Sequence, residues 1–263
     1  MDLSWRLLTE DAREKANMKK LAFVSVLFAT LGTAMFPARA ADLTIGFADP
    51  VSSLDPQLNN YAGDRSADLF FWNFLATITD SDLRHDLAVS WTPTDSTTWE
   101  FKLRPGVTWQ DGQPFTSADV AFSYGRAGNG PGSAATFAGY LRTIASIETP
   151  DPLTVIIHTK GPAPSLPRDL ASVHIVSRHI GEHATSADYD SGKAVIGTGP
   201  YRFVSYTPGD KVVASRNDAY WDGKAPWDKV TFHYIPNGAA RTAALLAGDA
   251  DVIDKVWFPT SPS

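Results

Sequence analysis

The stretch from Trp99 to Ser123, WEFKLRPGVTWQDGQPFTSADVAFS, constrains the fold more than any other part of the chain. Trp99, Phe101 and Leu103 alternate with charged residues, which predicts a half-buried β-strand. The Pro-Gly and Asp-Gly pairs that follow predict two tight turns, because proline fixes φ and glycine tolerates a positive φ. One face of this stretch is therefore expected to lie in a hydrophobic core.

A helix is predicted after the second turn. Thr116 lies three residues before Asp119, which is a variant of the capping box with Asp in place of Glu. Apolar residues follow at helical spacing, so the helix is expected from about Ser117 to Arg126. Asp111 suits a turn and Asp119 a helix start, so we interpret the stretch as structural rather than catalytic.

The composition excludes several classes of function. The chain has 263 residues, of which 43% are hydrophobic and 20% are charged, as in ordinary globular proteins. The net charge is −6 and no basic stripe occurs, so nucleic acid is not an expected partner. The chain contains no cysteine, which excludes disulfides, thiolate catalysis and thiolate metal sites. It also excludes a lipid-anchored exported form, which needs a cysteine at the mature N-terminus.

The N-terminal segment predicts export. Two lysines precede the uncharged residues 21–36, and Ala-Arg-Ala at 38–40 is a small-x-small cleavage site. This apolar run is shorter than the roughly 20 residues that span a membrane, so we interpret residues 18–40 as a signal peptide. Ala41 is then the first mature residue, and the expected location is the periplasm. Residues 1–17 are rich in acidic side chains and are expected to be a mis-assigned extension.

The mature chain predicts a mixed α/β fold. Strand patterns occur at 41–47 and 227–236, and a hairpin is predicted where residues 144–149 and 153–158 flank a Pro-Asp-Pro turn. A buried helix is predicted at 66–78. Strands before and between helices favour an α/β or α+β arrangement, with a sheet built from both ends of the mature chain.

A third helix is predicted near the end of the mature chain. It is expected to begin near Asn237 and to stop at Gly248, with Leu246 on a face compatible with burial.

Two groups of residues suggest an enzyme or a metal site. His179 and His183 are four residues apart, which would place them on one face of a helix, and His174 lies nearby in sequence. No carboxylate occurs at metalloprotease spacing, so a solvated face is the favoured interpretation. Asp249 and Asp251 resemble an acid/base pair but follow a helix as turn residues do. No catalytic residue, metal or cofactor is therefore assigned, and a secreted hydrolase that uses these residues stays as an alternative.

The order W-x-F-x-L-R-x-G-V-x-W-x-D-G-x-P-F-T-x-x-D-V resembles the signature of the family 5 extracellular solute-binding proteins. These are the dipeptide-, oligopeptide- and nickel-binding components of ABC importers. Further segments match in the same order, and together they extend over roughly residues 43–256. They are SSLDP (52–56), LAVSW (87–91), GTGPYRF (197–203) and NDAYWDGKAPWDKVTFHYIPNGAARTAALLAGDADV (217–252).

The resemblance implies the first lobe of a periplasmic binding protein of type II, with an inserted α+β subdomain. Residues 41–76 and 196–255 would form the core α/β subdomain, and 77–195 the insertion that carries the signature. Family members continue through a second lobe. The resemblance therefore implies that the sequence is the N-terminal portion only, that 256–263 begins the crossover, and that the second lobe is absent.

The function implied is that of a non-enzymatic substrate-binding component of an ABC importer. The expected partners are a small peptide or a similar polar solute and an ABC permease in the inner membrane. A truncated fragment that binds nothing is the other alternative. The resemblance and the loop positions predict eight ligand contacts: Ser52, Ser53, Leu54, Gly197, Thr198, Gly199, Tyr201 and Trp257.

Overall fold

The computed structural model describes residues 41–130 and 136–256. The strands are β1 (Asp42–Phe47), β2 (Ala76–Thr79), β3 (Asp82–His85), β4 (Ala88–Asp95), β5 (Thr98–Leu103), β6 (Ile144–Asp151), β7 (Thr154–Thr159), β8 (Tyr201–Thr207), β9 (Lys211–Arg216), β10 (Lys229–Tyr234) and β11 (Val252–Ile253). The helices are α1 (Ala62–Phe71), α2 (Ser117–Asn129), α3 (Ala138–Leu141), α4 (Leu166–Leu170), α5 (Arg178–Gly181), α6 (Ser186–Asp190) and α7 (Gly238–Ala247).

A five-stranded mixed sheet joins the two ends of the described chain. Its strand order is β11-β1-β10-β9-β8. The first strand, β1, pairs in parallel with β10 on one side and β11 on the other, whereas β8, β9 and β10 are antiparallel. Leu43 and Ile45 of β1 are buried, as the alternation in its sequence predicts. The mixed α/β fold predicted from the sequence is confirmed.

A four-stranded antiparallel sheet, β4-β5-β7-β6, lies between the two parts of the first sheet in sequence, together with the β2–β3 hairpin. The predicted strand at 99–103 is β5, in which Phe101 and Leu103 are buried and Trp99 is half-buried against the core. The predicted hairpin is β6 and β7. Both strand predictions are therefore confirmed.

Helix α2 begins where the capping pattern predicts. The backbone N–H of Thr116 donates to Asp119 Oδ2 at 2.8 Å, and the reciprocal bond of the capping box is also formed. The helix ends beyond the predicted Arg126, at Asn129, and is followed by Gly130 with a φ of 69°.

The predicted helix at 66–78 is wrong in its bounds. Helix α1 starts earlier and ends at Phe71, because the residues after it are extended and bond to another segment. The N–H of Phe74 donates to Asp86 Oδ2 at 2.9 Å, and the carbonyl of Leu75 accepts from Ala88 at 2.8 Å.

The exposed face of α7 also differs from the prediction. The helix starts after Asn237 and ends at Gly248 as expected, but Leu246 is 82% exposed and Arg241 is buried. The guanidinium of Arg241 donates to backbone carbonyls, including that of Ile235 at 2.7 Å. These bonds replace the water that the charge loses on burial.

Aromatic side chains in α1 and directly after it pack against the five-stranded sheet and against α6. The ring of Phe70 lies edge-on to Tyr201 of β8 at 5.6 Å and to Phe232 of β10 at 6.4 Å. Trp72, directly after the helix, contacts Tyr189 of α6 at 6.2 Å between ring centroids. Helix α1 therefore covers the five-stranded sheet, and the residue that follows it contacts α6.

Candidate functional site

The parallel strands identify one edge of the five-stranded sheet as the candidate place for a ligand. Strands β1, β10 and β11 end at the same edge, and ligands of open α/β sheets bind outside the carboxyl ends of such strands. The loop of residues 48–61, which connects β1 to α1, lies at this edge. We call this edge, with that loop and the β8–β9 turn, the ligand wall.

A shallow depression with a cavity volume of about 10 Å³ lies at the ligand wall. Enclosed pockets for small ligands are roughly 300–1,000 Å³, so this depression does not enclose a ligand by itself. Tyr206 donates its hydroxyl hydrogen to the carbonyl of Val51 at 2.7 Å and connects the two segments. Burial, followed by the nearby charges of Asp190 and Asp64, raises the pKa of Tyr206 to about 12. The residues that line the depression are Val51, Tyr206, Thr207, Gly209, Asp210, Lys211, Phe232 and Tyr234.

Carboxylates hold the first part of the loop. Asp64, in the first turn of α1, accepts a hydrogen bond from Ser52 Oγ at 2.6 Å. Asp190 Oδ1 accepts from Ser53 Oγ at 2.7 Å and from the N–H of Leu54 at 2.8 Å. Ser53 and Leu54 are buried, at 2% and 0% exposure, and Ser52 is exposed. Of these three predicted contacts, the structure therefore leaves Ser52 open to a ligand.

A buried ion pair anchors the loop more deeply. Arg126 of α2 donates to both carboxylate oxygens of Asp55, at 2.9 and 2.7 Å, and to Gln57 Oε1 at 3.1 Å. Ser186 Oγ donates to the same carboxylate at 2.7 Å, and the Arg126 guanidinium lies 5.1 Å from the ring centre of Tyr189. Burial alone would lower the pKa of Arg126, but the hydrogen bond and charge of Asp55 raise it above its usual value. Sequence reasoning missed this pair, since no local pattern connects its members.

The glycines of the GTGPY segment are required by a close backbone approach. A Cβ at Gly197 would lie 1.7 Å from the carbonyl oxygen of Phe71, and one at Gly199 would lie 2.5 Å from the carbonyl carbon. Thr198 Oγ1 donates to Asn73 Oδ1 at 2.9 Å, and Tyr201 is buried. All four predicted contacts in this segment lie inside the protein, where they pack against the end of α1. Their role as ligand contacts stays a prediction.

The turn of the signature stretch binds this same segment. The N–H of Gln110 donates to the carbonyl of Gly197 at 2.9 Å, and its side-chain amide donates to that of Tyr201 at 2.6 Å. Arg202 in turn donates to the carbonyl of Gln110 at 2.6 Å. The signature therefore connects the two sheets and lies away from the ligand wall.

A Ser-His-Asp arrangement occurs but is not a hydrolytic site. His179 Nδ1 lies 2.7 Å from Ser177 Oγ, and its Nε2 lies 2.6 Å from Asp111 Oδ2. Ser177 is 2% exposed, and its Oγ also accepts from the N–H of Ile180 as the N-cap of α5. A nucleophile must reach a substrate carbonyl, and this hydroxyl is enclosed by the chain. The geometry does not favour the hydrolase alternative.

The other histidines and acidic residues do not form a site together. His174 is buried and stacks on Phe74 at 4.1 Å, whereas His183 is exposed. Asp249 and Asp251 are exposed turn residues, and the carboxylate of Asp251 accepts from the N–H of Thr44 at 2.8 Å. Within the described residues, no three His, Asp or Glu side chains lie close enough to hold a metal ion. Trp257 lies outside the described ranges.

The fold and the one-sided wall define a lobe of a periplasmic binding protein. The family profile of the bacterial extracellular solute-binding proteins, family 5 Middle, matches residues 82–263. The chain belongs to this family. The resemblance seen in the sequence is confirmed, and the family comprises solute-binding proteins rather than enzymes.

Two relatives illustrate the range of the family. A protein of Brucella ovis named as an ABC transporter peptide-binding protein is 37% identical over 161 residues, which are 59% of this chain and 30% of that protein. A glutathione-binding protein of Pectobacterium atrosepticum is 30% identical over 223 residues, which are 83% of this chain and 43% of that protein. The chain thus spans less than half the length of these relatives.

Solved structures give the same fold. A binding protein of Agrobacterium tumefaciens R10 in complex with mannopinic acid has a TM-score of 0.74 at 28% identity, over 82% of this chain and 45% of that chain. The OppA of Burkholderia pseudomallei has a TM-score of 0.74 at 23% identity, over 83% and 47% of the two chains. In the described ranges, no helix has the length and apolar character needed to cross a membrane.

Proposed function

We propose that the chain supplies the first lobe of the periplasmic substrate-binding component of an ABC importer. Its solute would be a small peptide or a similar polar molecule, which the lobe delivers to an ABC permease in the inner membrane. Membership of family 5 supports this proposal, as do the names of two relatives, which refer to peptide and to glutathione. The signal peptide predicted at 18–40 supports the periplasmic location.

The two sheets support a division of the lobe into two subdomains. We assign residues 41–76 and 196–255 to a core subdomain, since the five-stranded sheet is built from them. We assign residues 77–195 to an inserted subdomain, which contains the four-stranded sheet. The insertion holds the loop of the ligand wall through Arg126 and Asp190, so it would position the wall without touching the solute.

The observation that carries the proposal is the open depression at the carboxyl edge of the sheet. A depression this shallow does not enclose a solute by itself, so a facing surface is needed to enclose one. We infer a mechanism in which the solute contacts the ligand wall and the facing surface together only when the two surfaces close on it. It therefore shifts the equilibrium towards closure by its differential affinity.

A titration with tri-alanine, followed by NMR, tests the proposal. The chain is purified after export with a nitrogen-15 label, and amide shifts are recorded up to tens of millimolar peptide. Because one wall buries only part of the solute, we expect binding near a Kd of about 1 mM, roughly −4 kcal/mol. The shifts should be concentrated in residues 48–61 and 206–211. No saturable shifts at the wall would refute the proposal, and micromolar binding would refute the argument that the wall is one-sided.

A further inference from the structure

One aromatic ring near the ligand wall is exposed where other rings are covered. Tyr61 is 64% exposed, whereas every other Trp, Tyr and Phe of the described residues is buried or half-buried. A phenol ring in water has no role in the core of this lobe. An aromatic body with a polar tip is suited to a ligand or an interface, where one side is dry and the other wet.

Tyr61 is fixed to the loop that carries Ser52. It directly precedes α1, and its carbonyl accepts the N–H of Arg65 at 3.0 Å. Two residues before it, Asn59 Nδ2 donates to Ser52 Oγ at 3.1 Å. Two residues after it, a Cβ at Gly63 would lie 2.0 Å from the carbonyl oxygen of Pro50, so the start of α1 packs directly on the loop. The ring is therefore presented at the edge to which the loop belongs.

The two carboxylates of the loop at 48–61 are paired with cationic side chains. Asp55 is paired with Arg126, and Asp49 lies 2.6 Å from the ammonium of Lys255. Asp64 accepts hydrogen bonds from Ser52. From Ser52 to Tyr61 the exposed side chains are a hydroxyl, one carboxamide and a phenol, and Leu58 and the carboxamide of Asn59 are half-buried. None of these side chains carries a charge at neutral pH.

We propose that Tyr61 is a specificity-determining contact of the ligand wall and that it takes the uncharged backbone of a peptide. The ring would pack on an amide plane and its flanking Cα–H groups, while the remaining lone pair of Ser52 Oγ accepts from the amide N–H and the carboxamide of Asn59 bonds to the amide as well. This part of the wall would then be indifferent to the charged termini of the peptide. The inference rests on the proposed function, since it identifies which part of a peptide solute this lobe reads.

The test compares Tyr61→Ala with Leu69→Ala, in the chain purified after export. Leu69 is 41% exposed two turns further along α1, so it is a matched loss of an exposed apolar side chain away from the loop. The probes are tri-alanine and the same peptide with its ends blocked as N-acetyl and amide. We expect Tyr61→Ala to weaken both peptides about tenfold, which corresponds to about 1.4 kcal/mol. Tyr61→Phe should keep most of the affinity, and Leu69→Ala should bind like the parent chain.

The outcomes separate this inference from the proposed function. Equal binding by the parent chain and Tyr61→Ala overturns the inference and leaves the proposed function standing. A loss confined to the unblocked peptide also overturns it, because the ring would then act on a terminus. If the parent chain binds neither peptide, the proposed function fails, and the inference fails with it. Unchanged thermal unfolding of Tyr61→Ala shows that any loss reflects a missing contact.

Discussion

Replacing Arg126 with Met should destabilise the lobe more than any exposed charge deletion. The side chain of Asp55 is 0% exposed and that of Arg126 is 11% exposed, so the pair is shielded from water. Arg126→Met keeps the apolar stem of the side chain but removes both of its hydrogen bonds to Asp55. The carboxylate then remains buried without a counter-charge.

The expected cost follows from the groups that remain. Removing one partner of a buried ion pair costs about 3–5 kcal/mol. Asp55 keeps two donors, the N–H of Gln57 at 3.1 Å and Ser186 Oγ at 2.7 Å, which favours the lower end of that range. We therefore expect Arg126→Met to lower the free energy of unfolding by about 3 kcal/mol.

A double-mutant cycle isolates the pair itself. In Asp55→Asn, Arg126 keeps Gln57 Oε1 and the ring of Tyr189, so this change should cost less than Arg126→Met. The double variant leaves no buried charge, and its cost should fall short of the sum of the single costs by about 1–3 kcal/mol.

Urea unfolding followed by tryptophan fluorescence measures these differences. Arg178→Met is the matched control, since Arg178 is 53% exposed and pairs with Glu182 at 3.4 Å on the surface. Exposed pairs of this kind contribute within about 0.5 kcal/mol. If Arg126→Met costs no more than Arg178→Met, or if the double variant is additive, the ion pair does not anchor the loop.

Two further predictions concern packing and pH. Gly197→Ala should lower the free energy of unfolding by about 2 kcal/mol or more, because its Cβ would lie 1.7 Å from the backbone oxygen of Phe71. The control is Gly139→Ala, which has open space around its Cβ and should unfold thermally like the parent chain. Burial raises the pKa of Asp86 to about 7, against an ordinary value of 3.8 in the unfolded chain, so stability should fall as the pH rises from about 4 to 7. Asp86→Asn keeps an acceptor for the N–H of Phe74 and should remove this loss of stability. Urea unfolding at pH 5 and pH 8 measures the change in the free energy of unfolding with pH, and the same change in both chains would contradict the prediction.

The sequence could predict those parts of the fold that depend on residues close together in the chain. The capping box at Thr116 and Asp119 lies within one turn, so the start of α2 depends on neighbouring residues alone. The predicted orientation of α7 was wrong, because hydrophobicity alone predicts that Leu246 is buried and Arg241 exposed. The carbonyls that accept from Arg241 belong to Ile235, Pro236, Asp254 and Lys255, which meet at this helix only in the folded chain.

The candidate site could be located from the sequence only as far as its loop. The SSLDP segment does lie at the ligand wall, but which of its residues face outward depends on remote partners. Asp190 binds Ser53 and Leu54 across more than a hundred residues, and Arg126 binds Asp55 from α2. Each of these contacts turns a loop residue inward, and no pattern in the loop itself reveals it.

The residues that carry the family resemblance and the residues that can reach a solute are therefore largely different. Gln110, in the turn of the signature stretch, joins the two sheets, and Gly197 allows the GTGPY segment to approach the end of α1. Two exposed side chains of the wall are those of Ser52, the first residue of the SSLDP segment, and Tyr61, which lies outside every matched motif. A motif built from packing residues identifies the lobe whatever it binds, so relatives named for peptide and glutathione can share it. The solute of this protein must then be determined by probing the side chains of the wall.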